Sequence, residues 1–102
     1  MQRYKVTIAE RAKNMLGAHV KFSAQISPPA ARKTKAMLIA AIRSLEIMPE
    51  RFPFFDGEYV PRNKYRKMFV ENWYLVLYQI RDNTVFVDYI VDCRQDYSWM
   101  IR

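Results

Sequence analysis

Three consecutive runs of strand-forming residues near the C-terminal end of the chain restrict the possible folds more than any other feature. Aromatic and β-branched residues dominate the runs at 65–70, 73–80 and 84–92, and these residue types suit a pleated, half-buried surface. The intervening segments Glu71-Asn72 and Arg81-Asp82-Asn83 are short, and Asn tolerates the positive φ angle that tight hairpins need. The sequence therefore predicts an antiparallel meander of three strands.

The alternation of side chains along a strand assigns the faces of this meander, because successive side chains point to opposite sides. The third run contains an unbroken apolar row: Val85, Val87, Tyr89 and Val91. We expect this row to face the core. The middle run is apolar on both of its faces, which is typical of a central strand that is covered on both sides or lines a groove.

The N-terminal half of the chain predicts one strand and two helices. Residues 3–8 alternate as a half-buried strand, and a helical period then continues to about Gln25. Ser27 and the two prolines after it stop the first helix and start a second, which runs to about Ile47. The first helix is expected to bury an apolar stripe: Ile8, Ala12, Met15, Leu16, His19, Phe22 and Ile26.

The segment 49–61 contains three prolines and one glycine, so we expect a loop. Its aromatic residues are too apolar for a freely solvated loop: Phe52, Phe54, Phe55 and Tyr59. We expect them to pack under the helices or over an edge of the sheet. An exposed docking surface is the alternative interpretation.

The predicted element order is β-α-α-β-β-β, which indicates an α+β fold. A helical hairpin packed on one face of a small, mostly antiparallel sheet is the layered solution for this order. At 102 residues the chain is short enough for one hydrophobic core, so we expect residues 1–102 to form a single domain.

Positive charge is the main compositional signal of function. Seventeen Lys and Arg residues oppose ten Asp and Glu residues, a net charge of +7. Such a field attracts nucleic acid, an acidic protein or an anionic membrane surface, whereas a basic surface without a partner is the alternative. Four cations cluster within residues 61–67: Arg62, Lys64, Arg66 and Lys67.

Other sequence features bear on compartment and cofactors. No apolar run approaches the roughly 20 residues that a membrane-spanning helix needs, and the start of the chain lacks the apolar stretch of a signal peptide. Cys93 is the one cysteine, so no internal disulfide can form. We therefore expect a cytoplasmic protein that does not associate with membranes.

Metal or cofactor chemistry is not expected. Asp88 and Asp92 share a predicted strand face but lie roughly 13 Å apart on an extended chain, too far to share an ion. Cys93 has no Cys or His at ligand spacing, and we interpret it as a buried thiol. We interpret His19, on the apolar stripe of the first helix, as a core or boundary residue.

Five stretches together resemble the RelE/ParE superfamily of toxins from bacterial type II toxin–antitoxin (plasmid stabilisation) systems. In chain order they are YKVTI, ISPPAARK, LEIMPERFP, YRKMFVENWYLVLYQI and VDYIVDCRQDY. The resemblance implies a cognate antitoxin as partner and one of two activities. RelE-like members cut mRNA, usually on the ribosome, by attack of a 2′-hydroxyl on the adjacent phosphate, and this is our first hypothesis. The alternative is ParE-like inhibition of DNA gyrase by binding, without cleavage.

For cleavage, the resemblance implies a catalytic set. Arg66 and Arg94 resemble the phosphate-binding arginines of the RelE-like enzymes, and Tyr97 resembles their C-terminal tyrosine. The nearby cations are expected to contact nucleic acid: Arg62, Lys64 and Lys67. The histidine that some of these enzymes place before the tyrosine is missing, because residues 94–97 are RQDY. A basic module that only binds, or an inactive toxin, would use the same residues.

Overall fold

A computed structural model describes residues 2–56 and 61–94 of the chain. Its elements are β1 (Lys5–Ile8), α1 (Glu10–Ile26), α2 (Pro28–Arg43), β2 (Arg66–Val70), β3 (Tyr74–Arg81) and β4 (Thr84–Asp92). Two short 3-10 turns, Ser44–Glu46 and Pro49–Arg51, follow α2. The predicted β-α-α-β-β-β order and the α+β class are confirmed. No helix of the described residues is long and apolar enough to cross a membrane.

The four strands form one sheet in the order β1-β4-β3-β2. β1 pairs in parallel with β4, and the β2–β3 and β3–β4 pairs are antiparallel. The meander predicted from the sequence is therefore correct. Both hairpins turn through residues with positive φ angles: Glu71 at 55°, Asn72 at 60°, Asp82 at 49° and Asn83 at 63°.

The helical hairpin covers one face of this sheet. Leu38, Ile42 and Leu45 are almost fully buried and pack against the side chains of β2, β3 and β4 that point toward the helices. The predicted start of α2 is confirmed, since the Ser27 hydroxyl accepts a hydrogen bond of 3.1 Å from the Ala30 amide. The hairpin and the sheet thus share a continuous apolar core.

A β-bulge in β4 changes which side chains face the helices. Leu77 pairs with Tyr89 and Tyr78 pairs with Val87, so Asp88 is an extra residue. The predicted core row is therefore wrong beyond Val87. Tyr89 and the following Val91 pack on the side of the sheet opposite the helices, hereafter the far face. Ile90 takes the position in the helix-side core, and Asp88 and Asp92 do not share a face.

The far face has a smaller core of its own. Leu75 and Leu77 of β3 pack there with Val91, and Phe55 covers them from the loop after α2. This arrangement confirms that β3 is a central strand buried on both faces. The Phe55 amide donates a hydrogen bond of 2.7 Å to the Tyr65 carbonyl. This loop therefore packs over the edge of the sheet, as expected. Tyr59 lies outside the described residues.

The helix α1 also covers the edge of β4 that β1 leaves unpaired. β1 pairs only as far as Val87, and beyond this point the His19 imidazole hydrogen-bonds the Ile90 carbonyl at 2.7 Å. The His19 ring lies 5.1 Å from the Tyr74 ring, centroid to centroid. His19 is thus a boundary residue that satisfies a backbone group, in agreement with the sequence interpretation.

Leu38→Asp should abolish or severely weaken folding, because an unpaired carboxylate would replace a side chain that is 0% exposed. We expect a loss of about 3 kcal/mol or more, which lowers the midpoint of a thermal melt by more than about 12 °C. Ala36→Asp is the matched control, since Ala36 is an exposed residue of the same helix. Equal melting temperatures of the two variants would show that this helix face is assigned wrongly.

Candidate functional site

A cleft of about 420 Å³ lies at one end of the helical hairpin. The end of α1, the start of α2 and the turn between β2 and β3 form its walls. The lining residues include Phe22, Ser23, Ile26, Lys33, Thr34, Met37, Glu71, Trp73, Tyr74 and Arg94. The size and the mixed lining fit a pocket for a few side chains of a partner.

Three large apolar side chains of the cleft are unusually exposed. Phe22 is 51% exposed, Ile26 is 73% exposed and Trp73 is 54% exposed. The sequence places Phe22 and Ile26 in the buried stripe of α1, and this prediction is wrong. The buried residue of the last turns is Ser23, whose hydroxyl bonds the Thr34 hydroxyl of α2 at 2.7 Å. α1 thus turns Ser23 toward α2, and the two apolar side chains lie at the cleft.

Arg94 closes one end of the cleft and is held by Asp92. The guanidinium donates two hydrogen bonds to the carboxylate, from Nε at 2.9 Å and from Nη2 at 2.7 Å, and the Arg94 amide donates a third at 2.9 Å. The hydrogen bonds from Arg94 lower the pKa of the Asp92 carboxyl, although burial acts in the opposite direction. The Arg94 guanidinium also lies 4.9 Å from the centroid of the Trp73 ring.

Arg66 is the first residue of β2, at the end of this strand that is farther from the cleft, and its surroundings differ from those of Arg94. Its Nη1 donates to the Phe52 carbonyl at 2.7 Å and to the Glu50 carbonyl at 3.1 Å. Its guanidinium stacks 4.1 Å from the centroid of the Phe54 ring. Arg66 thus fastens the loop after α2 to the sheet.

Tyr78, the cross-strand partner of Arg66, fastens the same loop. Its buried hydroxyl donates a hydrogen bond of 2.6 Å to the Pro49 carbonyl. Burial raises the pKa of Tyr78 to about 12, so the hydroxyl keeps the proton that it donates. The paired residues Arg66 and Tyr78 together satisfy three carbonyl groups of this loop.

The structure does not bring Arg66 and Arg94 together. Arg66 pairs with Tyr78, whereas Asp92, which holds Arg94, pairs with Tyr74. Tyr74 and Tyr78 are four positions apart on β3, which is a distance of about 13 Å along the strand. Arg94 lines the cleft and Arg66 does not. Tyr97 lies outside the described residues, so the predicted catalytic set stays a prediction.

The three predicted nucleic-acid contacts lie near the start of β2. Arg62 and Lys64 are exposed, and Lys67 is half-buried. Since Met68 and Val70 face the helices, alternation places Lys67 on the far face. These cations therefore lie away from the cleft that contains Arg94, and their predicted role also stays a prediction.

Neither the cysteine nor the acidic residues of the described chain form a reactive site. Burial raises the pKa of the half-buried Cys93 thiol, which disfavours the reactive thiolate. Within residues 2–56 and 61–94, no three His, Cys, Asp or Glu side chains lie close enough together to hold a metal ion.

Comparisons with known proteins agree with this architecture. The profile of the family described as "ParE toxin of type II toxin-antitoxin system, parDE" matches residues 6–97. A solved structure titled "Chromosomal ParDE TA system from P. aeruginosa" superposes with a TM-score of 0.73 and 14% sequence identity, covering 88% of this chain and 96% of that chain. No curated protein matches the sequence.

Arg66→Ala should destabilise the protein, because it removes two charged hydrogen bonds and the contact with the Phe54 ring. We expect a loss of about 2 kcal/mol, which lowers the melting midpoint by roughly 10 °C. Arg62→Ala is the matched control at an exposed arginine of the same segment and should shift the midpoint by less than about 3 °C. Unchanged stability of Arg66→Ala would contradict a structural role for this side chain.

Proposed function

The chain belongs to the ParE toxin family of type II toxin–antitoxin systems, and from this membership we propose that it arrests growth by binding and inhibiting DNA gyrase. The superfamily resemblance of the sequence is in agreement with this family. Toxins of such systems are held inactive by a cognate antitoxin. Of the two activities weighed from the sequence, the family match favours gyrase inhibition over cleavage of mRNA.

The structural observation that supports this proposal is that both candidate arginines are bound to other groups of the fold. Cleavage through a 2′-hydroxyl needs cations that converge on one phosphate. Arg66 instead donates to two backbone carbonyls, and Arg94 forms a two-pronged ion pair with Asp92. Their surroundings are separated by about 13 Å of β3. This geometry supports a toxin that acts by binding.

We also propose that the cleft receives part of the antitoxin. Phe22, Ile26 and Trp73 present apolar surface there, and covering the exposed part of each side chain contributes about 1 to 2 kcal/mol. Lys33 supplies positive charge at the cleft and Glu71 negative charge, while the charge of Arg94 is balanced by Asp92. A complementary segment would insert apolar side chains and carry a carboxylate for the Lys33 ammonium.

Strong expression of the chain in a bacterium should arrest growth, and co-expression of its antitoxin should restore it. The purified chain should inhibit supercoiling of relaxed plasmid by gyrase, because the proposed action is binding to the enzyme. Primer extension on a reporter message from arrested cells should show intact mRNA. Specific cuts in the message together with unchanged supercoiling would overturn the proposal in favour of a ribonuclease.

Phe22→Asp should weaken the complex with the antitoxin at least tenfold, because a carboxylate would enter the apolar cleft. Phe69→Asp is a close control, since Phe69 has a similar exposure, 53% against 51%, but lies outside the cleft. Isothermal titration of the antitoxin gives both affinities, and thermal melts verify that both variants fold. Equal loss of affinity in the two variants would exclude the cleft as the docking site.

A further inference from the structure

The far face of the sheet carries aromatic rings that are each covered by a cation, and we propose that this face binds single-stranded nucleic acid directly. This inference goes beyond gyrase inhibition and does not depend on it. It rests on three ring–cation pairs: Tyr65 with Lys64, Tyr89 with Arg11, and Phe86 with Arg81.

Two of these pairs form one continuous row. The Arg11 guanidinium lies 4.4 Å from the centroid of the Tyr89 ring and also donates a hydrogen bond to its hydroxyl. The Tyr89 ring meets the Tyr65 ring edge to face at 5.9 Å, centroid to centroid. The Lys64 ammonium lies 5.3 Å from the centroid of the Tyr65 ring. The rings hold both cations in place, which lowers the entropy lost when a phosphate binds.

The bulge at Asp88 builds this row. Without the extra residue, Tyr89 would continue the alternation of Val85 and Val87 and point toward the helices. With the bulge, Tyr89 lies on the same face as Phe86, and the Arg81 guanidinium lies 4.7 Å from the centroid of the Phe86 ring. Bulges often redirect a side chain toward a functional surface, and here the bulge adds an aromatic ring to the far face.

The charge on this face is mainly positive, although the exposed Asp56 directly follows Phe55, which packs there. The cations at and around the far-face strand positions are Lys5, Arg11, Lys64, Lys67 and Arg81. Among the described strand residues that point to this side, the one acid is Asp88, and it accepts a hydrogen bond of 2.8 Å from Gln79. Burial, followed by the charge of Asp88 and its hydrogen bond, raises the pKa of Tyr65 to about 12.

The alternation of rings and cations distinguishes a nucleic acid from an acidic peptide as the partner. Unpaired bases can stack on aromatic side chains, here the half-buried Tyr65, Phe86 and Tyr89, while Lys and Arg contact the phosphates between them. A sheet face that presents aromatic rings is a known platform for single strands. A duplex hides its bases, and the carboxylates of an acidic peptide would contact the cations but would not stack on the rings. The far face therefore fits single-stranded DNA or RNA.

Fluorescence anisotropy with labelled 12-nucleotide DNA and RNA strands, and with the corresponding duplex, tests this inference on the purified chain. We expect both single strands to bind more tightly than the duplex. The strand with the higher affinity then shows whether the ligand is DNA or RNA. The triple variant Arg11→Gln, Lys64→Gln, Arg81→Gln should lose at least tenfold in affinity. Its salt dependence, the slope of log affinity against log salt, should be shallower by about 2, since each phosphate contact contributes roughly 0.7.

A second triple variant is the control, because it removes the same number of positive charges from the other side of the molecule. This control changes two arginines and one lysine that are exposed on α2: Arg32→Gln, Lys35→Gln and Arg43→Gln. Its affinity for the single strand should fall less than threefold. Equal losses in both triple variants would show that net charge alone drives binding and would overturn the proposal. Displacement of the labelled strand by polyglutamate as readily as by unlabelled strand would overturn it as well, as would equal affinity for the duplex.

Discussion

Burial of β3 on both of its faces is the constraint on which the rest of the structure depends. Val76 and Tyr78 pack under the helical hairpin, while Leu75 and Leu77 pack under Phe55 on the far face. A strand with two apolar faces can be stable only if something covers each of them. The helices supply one cover, and the loop after α2 must supply the other. Arg66 and Tyr78 hold that loop in place through its carbonyl groups.

Some cations of this strongly basic chain bond to other groups of the protein, whereas others lie at the surface and can contact a partner. The family resemblance implies that Arg66 and Arg94 bind phosphate. Each of them, however, already has partners within the protein. Their removal is therefore expected to weaken the fold as well as any binding. The cations over the far-face rings form no salt bridges among the described residues, so their positive potential is available to a partner. Net charge alone does not distinguish these two uses.

The exposed apolar side chains at the cleft are consistent with the biology of the family. If the antitoxin docks in the cleft as proposed, the toxin need not cover Phe22, Ile26 and Trp73 by itself, because the complex would cover them. A partner that binds only the folded toxin also stabilises it by mass action. The cleft and the far face lie on different sides of the sheet, so an antitoxin in the cleft would leave the three ring–cation pairs uncovered.

Local chemistry made much of the fold predictable from the sequence. The asparagines of the two hairpins, the Ser27 cap and the two-sided apolar pattern of β3 each depend on a few adjacent residues, and their consequences are present in the structure. The order of elements and the α+β class follow from the same patterns. The helical stripe indicated that His19 is a core or boundary residue, and its contact with the Ile90 carbonyl places it at the boundary.

Only the tertiary structure decided the features that depend on pairing between distant segments. The bulge at Asp88 arises from the register of β4 on β3, and it moved Tyr89 to the far face against the simple alternation. The exposure of Phe22 follows from the rotation of α1 that places Ser23, and not Phe22, against α2. The separation of Arg66 from Arg94 likewise follows from strand register. A sequence period states which residues share a face, but the pairing partners determine what that face contacts.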